Sequence, residues 1–394
     1  MSTVPVLPEV RAVEPEMVAL RQQIHAWPEL GFEEHRTAEL VADRLQAWGY
    51  EVHRGVGGTG VVATLTLGRG TRRLGLRADL DALPMTETSG LPYASRNPGR
   101  MHACGHDGHT ATLLAAARVL AYAKGFDGTL VLIFQPAEEG LGGAQRMLDD
   151  GLFERFPCDR LYAFHNAPGY EAGLLGFRSG VMYSSSDTAI ITVHGVGGHG
   201  AEPHQAVDPI LAASHVVIAL QSIVSREVDP NELAIITVGA FLAGQAPNVI
   251  PARAELRVTV RARSERVRAQ LRDRITAVAQ AQAAVHGARA EVDYRWRYPV
   301  TMNDRESTTW AESLARDFVG DANLIPDLPP GLPSDDFGLM LARVPGSYFI
   351  VGNGVGKGVG EGGCSVHNTG YDFNDRILGS TASFFVHLAR RWLA

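Results

Sequence analysis

Residues 108–134 read GHTATLLAAARVLAYAKGFDGTLVLIF. An apolar stretch of helix length runs over 108–124, Gly125 breaks it, and 128–134 is a short continuous apolar run. Such a run after a turn signal reads as a strand within a sheet, and the stretch before it as a helix packed on that sheet. Working outward, GVVATLTL (60–67), RLGLRAD (73–79) and RLYAFH (160–165) are further strands, and 141–150 is a further helix. Two helices precede them, 14–27 and 36–48; in the first, Met17, Leu20, Ile24 and Trp27 recur at helical spacing. Strands alternating with helices predict an α/β domain with a mostly parallel sheet.

The texture changes after residue 183. DTAIITVHG (187–195) alternates as a strand, and 206–228 is a long apolar-faced helix. Strands at 232–241 and 253–263, a helix at 264–286 and a strand at 289–296 complete the order β-α-β-β-α-β, the ferredoxin-like unit. From about residue 300 the first texture returns, with a helix at 306–319, a strand near 347–351, a glycine-rich loop at 352–363 and a closing helix at 376–393. The expectation is a discontinuous larger domain, 1–183 plus 297–394, into which a small domain, 184–296, is inserted.

Composition narrows the function classes. The 394 residues carry a net charge of −7, so no basic face is available to neutralise phosphates, and a nucleic-acid partner is not expected. Three scattered cysteines make no disulfide framework and point to a reducing compartment. The N-terminus has no basic segment followed by an apolar one, and no 18-residue uninterrupted apolar window occurs. A cytoplasmic protein without a membrane span is the expectation.

Side chains suited to metals and hydrolysis collect where predicted strands end, which is where α/β sheets place their sites. Cys104, His106, Asp107 and His109 lie in MHACGHDGH (101–109), directly before an apolar helix. They offer thiolate, imidazole and carboxylate ligands within reach of one another; a capped helix with solvent-facing histidines fits the same letters. Glu138 and Glu139 follow the strand 128–134, and neighbouring residues point differently, so one can ligate a metal while the other acts as general base. The alternative is a helix start whose acids favour the dipole. His165 ends another strand, Asp79 another, and His367 lies beyond the glycine loop. In the small domain, GVGGHGAEPH (195–204) places His199 in a glycine-rich turn.

Taken together, HAWPELGF (25–32), RADLDALPM (77–85), HACGHDGHTA (102–111), QPAEEG (135–140), GGHGAEPH (197–204), PNVIP (247–251) and YDFND (371–375) resemble the M20 metallopeptidase/amidohydrolase family. The nearest branch is the aminoacylase-like one of hippurate hydrolases, N-acyl-amino-acid deacylases and plant auxin-conjugate hydrolases. The resemblance implies two divalent metal ions (Zn, Mn, Co or Ni) in the larger domain, held by Cys104, His106, Glu139, His165 and His367. It implies Glu138 as general base and acid, with Asp79 as a supporting acid. The small domain then acts as lid and pairing surface of a homodimer or homotetramer. From it His199 stabilises the oxyanion, in many relatives within the partner subunit's site, while Asn248 and Arg261 hold substrate. The implied reaction is hydrolysis of the amide bond of a small N-acyl amino acid. A dipeptidase, carboxypeptidase or N-carbamoyl hydrolase is a short step away. More distant alternatives are a thiol hydrolase using Cys104 as nucleophile, which leaves Glu138, Glu139 and His367 without a task, and a non-catalytic binding protein.

Overall fold

The structure is a computed structural model and describes residues 4–358 and 360–394. The chain divides into two units: one comprises Met1–Met182, Met302–Pro329 and Leu339–Ala394, the other Tyr183–Thr301 and Pro330–Gly338.

The first unit opens with helices α1 (Pro8–Ala26) and α2 (His35–Ala47). Val10, Met17, Leu20 and Ile24 form the buried face of α1, and the Glu29 carboxylate accepts from the N–H groups of Arg36 and Thr37 in the first turn of α2. Strands β1 (Glu51–Val56), β2 (Gly60–Leu67) and β3 (Arg73–Asp79) follow, then helix α3 (His106–Ala123) and strands β4 (Gly128–Gln135), β5 (Arg160–Pro168) and β6 (Leu175–Gly176). β1 has no counterpart in the sequence reading, because the polar stretch EVHRGV is a largely exposed edge strand. α3 is buried nearly all round, packed against α1, as its continuous apolar run requires.

The second unit contains β7 (Ser186–His194), α4 (Pro209–Ser222), β8 (Ala234–Ala243), β9 (Arg253–Ala262), α5 (Glu265–Val285) and β10 (Arg289–Tyr298). Its sheet runs β8-β9-β7-β10, antiparallel throughout, with both helices packed on it. Burial alternates residue by residue along β7, as for a sheet with one covered face. The helix expected over 206–228 starts later, at Pro209, because Asp208 caps it through Ile210 N, and it ends in a π-helical turn, Ile223–Glu227. By length and composition Pro209–Glu227 could cross a membrane, with mean hydropathy 1.3. Its Ala212, Ala213, Val216, Leu220 and Ile223 nevertheless lie in the core of this unit, whereas Ile210, Leu211 and Ile218 are exposed.

The chain then returns to the first unit with α6 (Arg305–Val319), β11 (Gly346–Gly354) and α7 (Leu378–Trp392). The first unit's sheet has the order β1-β2-β4-β3-β5-β11-β6. Its four central strands, β4, β3, β5 and β11, run parallel, and antiparallel strands close both edges. The second unit exceeds the expected 184–296 by Tyr183 and residues 297–301, and a separate stretch joins it as well. Residues 330–338 join the second unit, where Pro330 O accepts from Arg263 Nη2 and Pro333 O from Ser184 N.

Candidate metal centre

The parallel strands place their ends on one edge of the sheet. Asp79, the last residue of β3, stands opposite Gln135, the last of β4, and His165 on β5 stands opposite Ile350 on β11. Glu138 and Glu139 follow three and four residues after Gln135. Cys104 and His106 arrive in the loop that starts α3. Gly105 between them has φ 93°, and a Cβ there would meet Asn166 Oδ1 at 2.4 Å and Tyr371 Oη at 2.6 Å, so only glycine lets this loop come so close. His367 is tied to the same loop, its N–H donating to Ala103 O at 2.7 Å, and it too is left-handed, with φ 62°. A non-glycine residue held there marks a place the surroundings over-determine.

The five side chains expected as ligands come together. Overlapping groups with ligand atoms within 4.8 Å of one another are Cys104, His106 and His165; Cys104, Glu139 and His367; and His106, Glu138 and Glu139. Cys104 Sγ lies 3.4 Å from His165 Nε2, and His367 Nε2 lies 3.3 Å from Glu139 Oε1. The backbone sets both buried imidazoles. His106 Nδ1 donates to Asp81 O at 2.8 Å and His165 Nδ1 to Asn166 O at 2.7 Å. A carbonyl can only accept, so each neutral ring keeps its lone pair on Nε2, facing the cluster.

Whether a cation fits is decided by what these atoms lack. Among the described residues, His106 Nε2 is buried without a hydrogen bond, and Glu139 Oε1, also buried, has only the 3.3 Å contact with His367 Nε2; such atoms are costly unless a ligand satisfies them. Burial opposes charge on His106, but Asp79 and Asp81 outweigh it and lift the ring to about 10; the potential that favours a proton there favours a divalent cation as well. Burial, and then His109, holds His165 down at about 3, so that ring is a neutral donor. Burial, together with Glu139, Glu138 and Asp79, pushes the Cys104 thiol well above its usual range. A free thiolate is therefore disfavoured, and with it a thiolate–imidazolium pair with His165. A metal that displaces the proton removes that cost. The donor set fits divalent metal.

Asp79 stands behind the ligands. Its Oδ1 lies 2.6 Å from His109 Nδ1, its Oδ2 2.7 Å from Arg77 Nη1 and 3.7 Å from His106 Nε2. Burial opposes its charge, but His106, His109 and Arg77 hold the carboxyl well below the usual range. His109 continues to Asn166 Oδ1 at 2.6 Å, and Asn166 Nδ2 donates to Tyr371 Oη at 2.6 Å. The sequence offers His109 only as one more possible ligand of the 101–109 cluster, not as a partner of Asp79, and it gives Asp81 and Asn166 no task. The available signals were spacing alone: His109 lies one helical turn after His106, Asp81 two residues after Asp79, and Asn166 next to His165.

The remaining candidates lie in the second unit. His199 and Gly198 pair with Val249 and Ile250 as a short antiparallel ladder, and Gly200 N donates to Asn248 O at 2.8 Å, so His199 and Asn248 are neighbours. A Cβ on Gly200 would sit 3.1 Å from the Asn248 backbone. Ala201 N donates to His199 Nδ1 at 3.0 Å, which leaves the neutral ring's proton on Nε2. Arg261 is not beside them. It lies near the far end of β9, eight residues from Arg253 and roughly 26 Å away at strand rise, with Nη1 on Ser334 Oγ at 3.0 Å.

A two-unit α/β chain that gathers cysteine, histidine and glutamate side chains able to hold a metal ion has the features of a metal-dependent hydrolase. The profile of Peptidase family M20/M25/M40 matches residues 75–391, and the chain belongs to that family. It is 42% identical over 387 residues to the hippurate hydrolase of Campylobacter jejuni, covering 98% of this chain and 99% of that protein. It is 34% identical to the N-acetyl-L-cysteine deacetylase of Bacillus subtilis, over 97% of this chain and 89% of the relative. Among solved structures, the Bacillus subtilis YxeP protein, a dinuclear metal binding peptidase from the M20 family, is similar with TM-score 0.83 and 28% identity, over 97% of this chain and 99% of that one. The chain is an amidohydrolase of this family that uses divalent metal.

Proposed function

We propose that this protein cleaves the amide bond of N-acyl amino acids, hippurate-like or N-acetyl, to a carboxylic acid and a free amino acid. The observation that carries the reading is the pairing of Glu138 with Glu139. Both offer carboxylate oxygens within 4.8 Å of a His106 nitrogen, and a site that only bound a metal would need one of them. Two of the relatives named above, the hippurate hydrolase and the N-acetyl-L-cysteine deacetylase, are hydrolases of N-acylated amino acids by name.

Cys104, His106, Glu139, His165 and His367 would hold two divalent ions, Zn, Mn, Co or Ni, which when bound polarise a carbonyl and make water a nucleophile near neutral pH. Glu138, 7% exposed, takes the proton of the attacking water and passes it to the departing amine. Asp79 holds the ligand helix in place through His109. His199 presents its Nε2–H to the developing oxyanion, with Asn248 beside it. Arg261 holds the substrate carboxylate. His199 and Arg261 lie too far apart to meet one small substrate from within the same small unit, so in this reading His199 serves the site of a second copy, in a homodimer or homotetramer paired through the small unit. Cys104, Cys158 and Cys364 are all free thiols, which suits a cytoplasmic protein.

The test is amine release from N-benzoyl, N-acetyl, N-carbamoyl and dipeptide substrates, before and after dialysis against chelator and after return of single metals. Hydrolysis of the N-acyl amino acids, lost on dialysis and restored by metal, is expected. Turnover that survives full metal removal, or is confined to dipeptides or carbamoyl substrates, overturns the reading.

A further inference from the structure

The stretch HAWPELGF (25–32) carries part of the family resemblance yet supplies no ligand. It and the residue two places beyond it lie against the segments that carry Asp79, Asp81 and the paired glutamates. Ala82, just past Asp79 and Asp81, donates its N–H to Glu29 O at 2.8 Å, and Leu30 bridges to Ala82. Gly31 lies against the turn before the paired glutamates, where a Cβ would come 3.0 Å from both Cα and Cβ of Ala137. Glu34 then accepts the Ala137 N–H on Oε1 at 2.8 Å and the Thr59 hydroxyl on Oε2 at 2.5 Å.

Ala137 is the residue on which the chain turns as it leaves β4. Its φ is +52°, the left-handed region that an alanine enters at a cost. The turn is closed by Gly143 N on Ala137 O at 3.0 Å and Gly140 N on Glu138 O at 2.7 Å, and Glu139 N is held by Asp81 Oδ2 at 2.9 Å. Glu34 is fully buried, and among the described residues it forms no ion pair. A buried carboxylate without a cation is expensive, and burial lifts this one to about 6. An apolar side chain would fill the space at lower cost but would leave the Ala137 N–H unbound.

We propose that Glu34 is the positioning residue for the Glu138–Glu139 pair: by holding the Ala137 N–H it keeps the left-handed turn that aims one carboxylate at metal and the other at substrate. The inference rests on the roles given to those two residues under the proposed function. It assigns a task to the chain after the 25–32 stretch that neither the ligands nor the general base explains.

The experiment compares wild type, Glu34→Ala, Glu34→Gln and the double variant Glu34→Ala/Ala137→Gly, each stripped of metal and titrated with Co²⁺. Cobalt binding is read from its visible and thiolate charge-transfer absorbance, and kcat and KM are measured after loading. Glu34→Ala should lose about 10–100-fold in cobalt affinity and kcat, with KM little changed. Glu34→Gln, whose amide oxygen still accepts from Ala137, should retain most of both. Glycine adopts the turn without penalty, so Ala137→Gly in the Glu34→Ala background should recover at least about tenfold. Glu34→Met, with no acceptor and similar volume, carries the same comparison if Glu34→Ala does not fold. Wild-type cobalt binding and kcat in Glu34→Ala overturns the proposal, as does equal impairment with and without Ala137→Gly. A wild type that hydrolyses no N-acyl amino acid, while Glu34 variants still lose cobalt, removes the substrate reading and leaves Glu34 in its role.

Discussion

Asp107 Oδ2 lies 2.8 Å from His25 Nδ1, and Asp107 directly follows the candidate ligand His106. The other ring nitrogen of His25 faces Glu87 Oε1 at 3.3 Å, so two carboxylates meet one buried imidazole. Arg21 completes the cluster, with Nη1 at 3.3 Å from Asp107 Oδ2 and 2.8 Å from Asp372 Oδ1, and Nε at 2.9 Å from Asp375 Oδ1. The loop carrying Cys104 and His106 and the chain just past His367 are thus joined behind the metal centre by one guanidinium.

Arg21 is fully buried. Arg21→Met keeps the volume and strands three carboxylates, two of them buried, so a loss of about 3–5 kcal/mol is expected from denaturant unfolding. A loss under about 1 kcal/mol would show that solvent or protonation relieves the cluster without Arg21.

His25 makes that cluster sensitive to pH. Burial opposes its charge, but Asp107 and Glu87 outweigh it and raise the ring from 6.5 to about 9. A group raised on folding stabilises fully below its unfolded pKa and loses that contribution as pH rises through the folded one. The stability of wild type relative to His25→Gln should therefore be greatest at or below pH 6.5 and shrink by up to about 3 kcal/mol towards pH 9. Unfolding midpoints of both proteins across that window measure it; a constant difference means that His25 carries no extra proton in the folded state.

The side chains that cluster as the candidate metal centre were more legible in the sequence than the structure behind them, for a physical reason. Cys104, His106, Glu139, His165 and His367 stand beside apolar runs or within dense motifs, and local pattern locates them. Arg21 meets Asp372 across 351 positions of chain, and Glu34 meets Ala137 across 103. Long-range polar pairs like these leave no periodicity in the letters. The ferredoxin-like order was legible because β7 and β9 alternate cleanly, whereas β1 went unseen because its exposed, polar residues do not. The placement of Arg261 away from Asn248 was invisible for another reason: only strand direction shows which end of the sheet each occupies.

Glu138→Gln preserves shape and removes the carboxylate that would carry the proton. Metal content measured by atomic emission should stay at the wild-type level while kcat falls by about 10²–10⁴-fold. Near-normal turnover would take proton transfer away from Glu138, and lost metal would make it a ligand instead.

His199→Ala should raise the barrier by about 2.7–4 kcal/mol, on the order of 10²–10³ in kcat, if Nε2–H faces the oxyanion. The separation of His199 from Arg261 along the small unit gives this variant a second use. When His199→Ala and Glu138→Gln proteins are mixed under conditions that let subunits exchange, half of the resulting dimers are hybrids. In each hybrid, the site that keeps Glu138 receives an intact His199 if that residue crosses between copies. Activity should then rise from near zero to about a quarter of wild type. If His199 serves its own subunit, every site in the hybrid lacks one group, and mixing restores nothing.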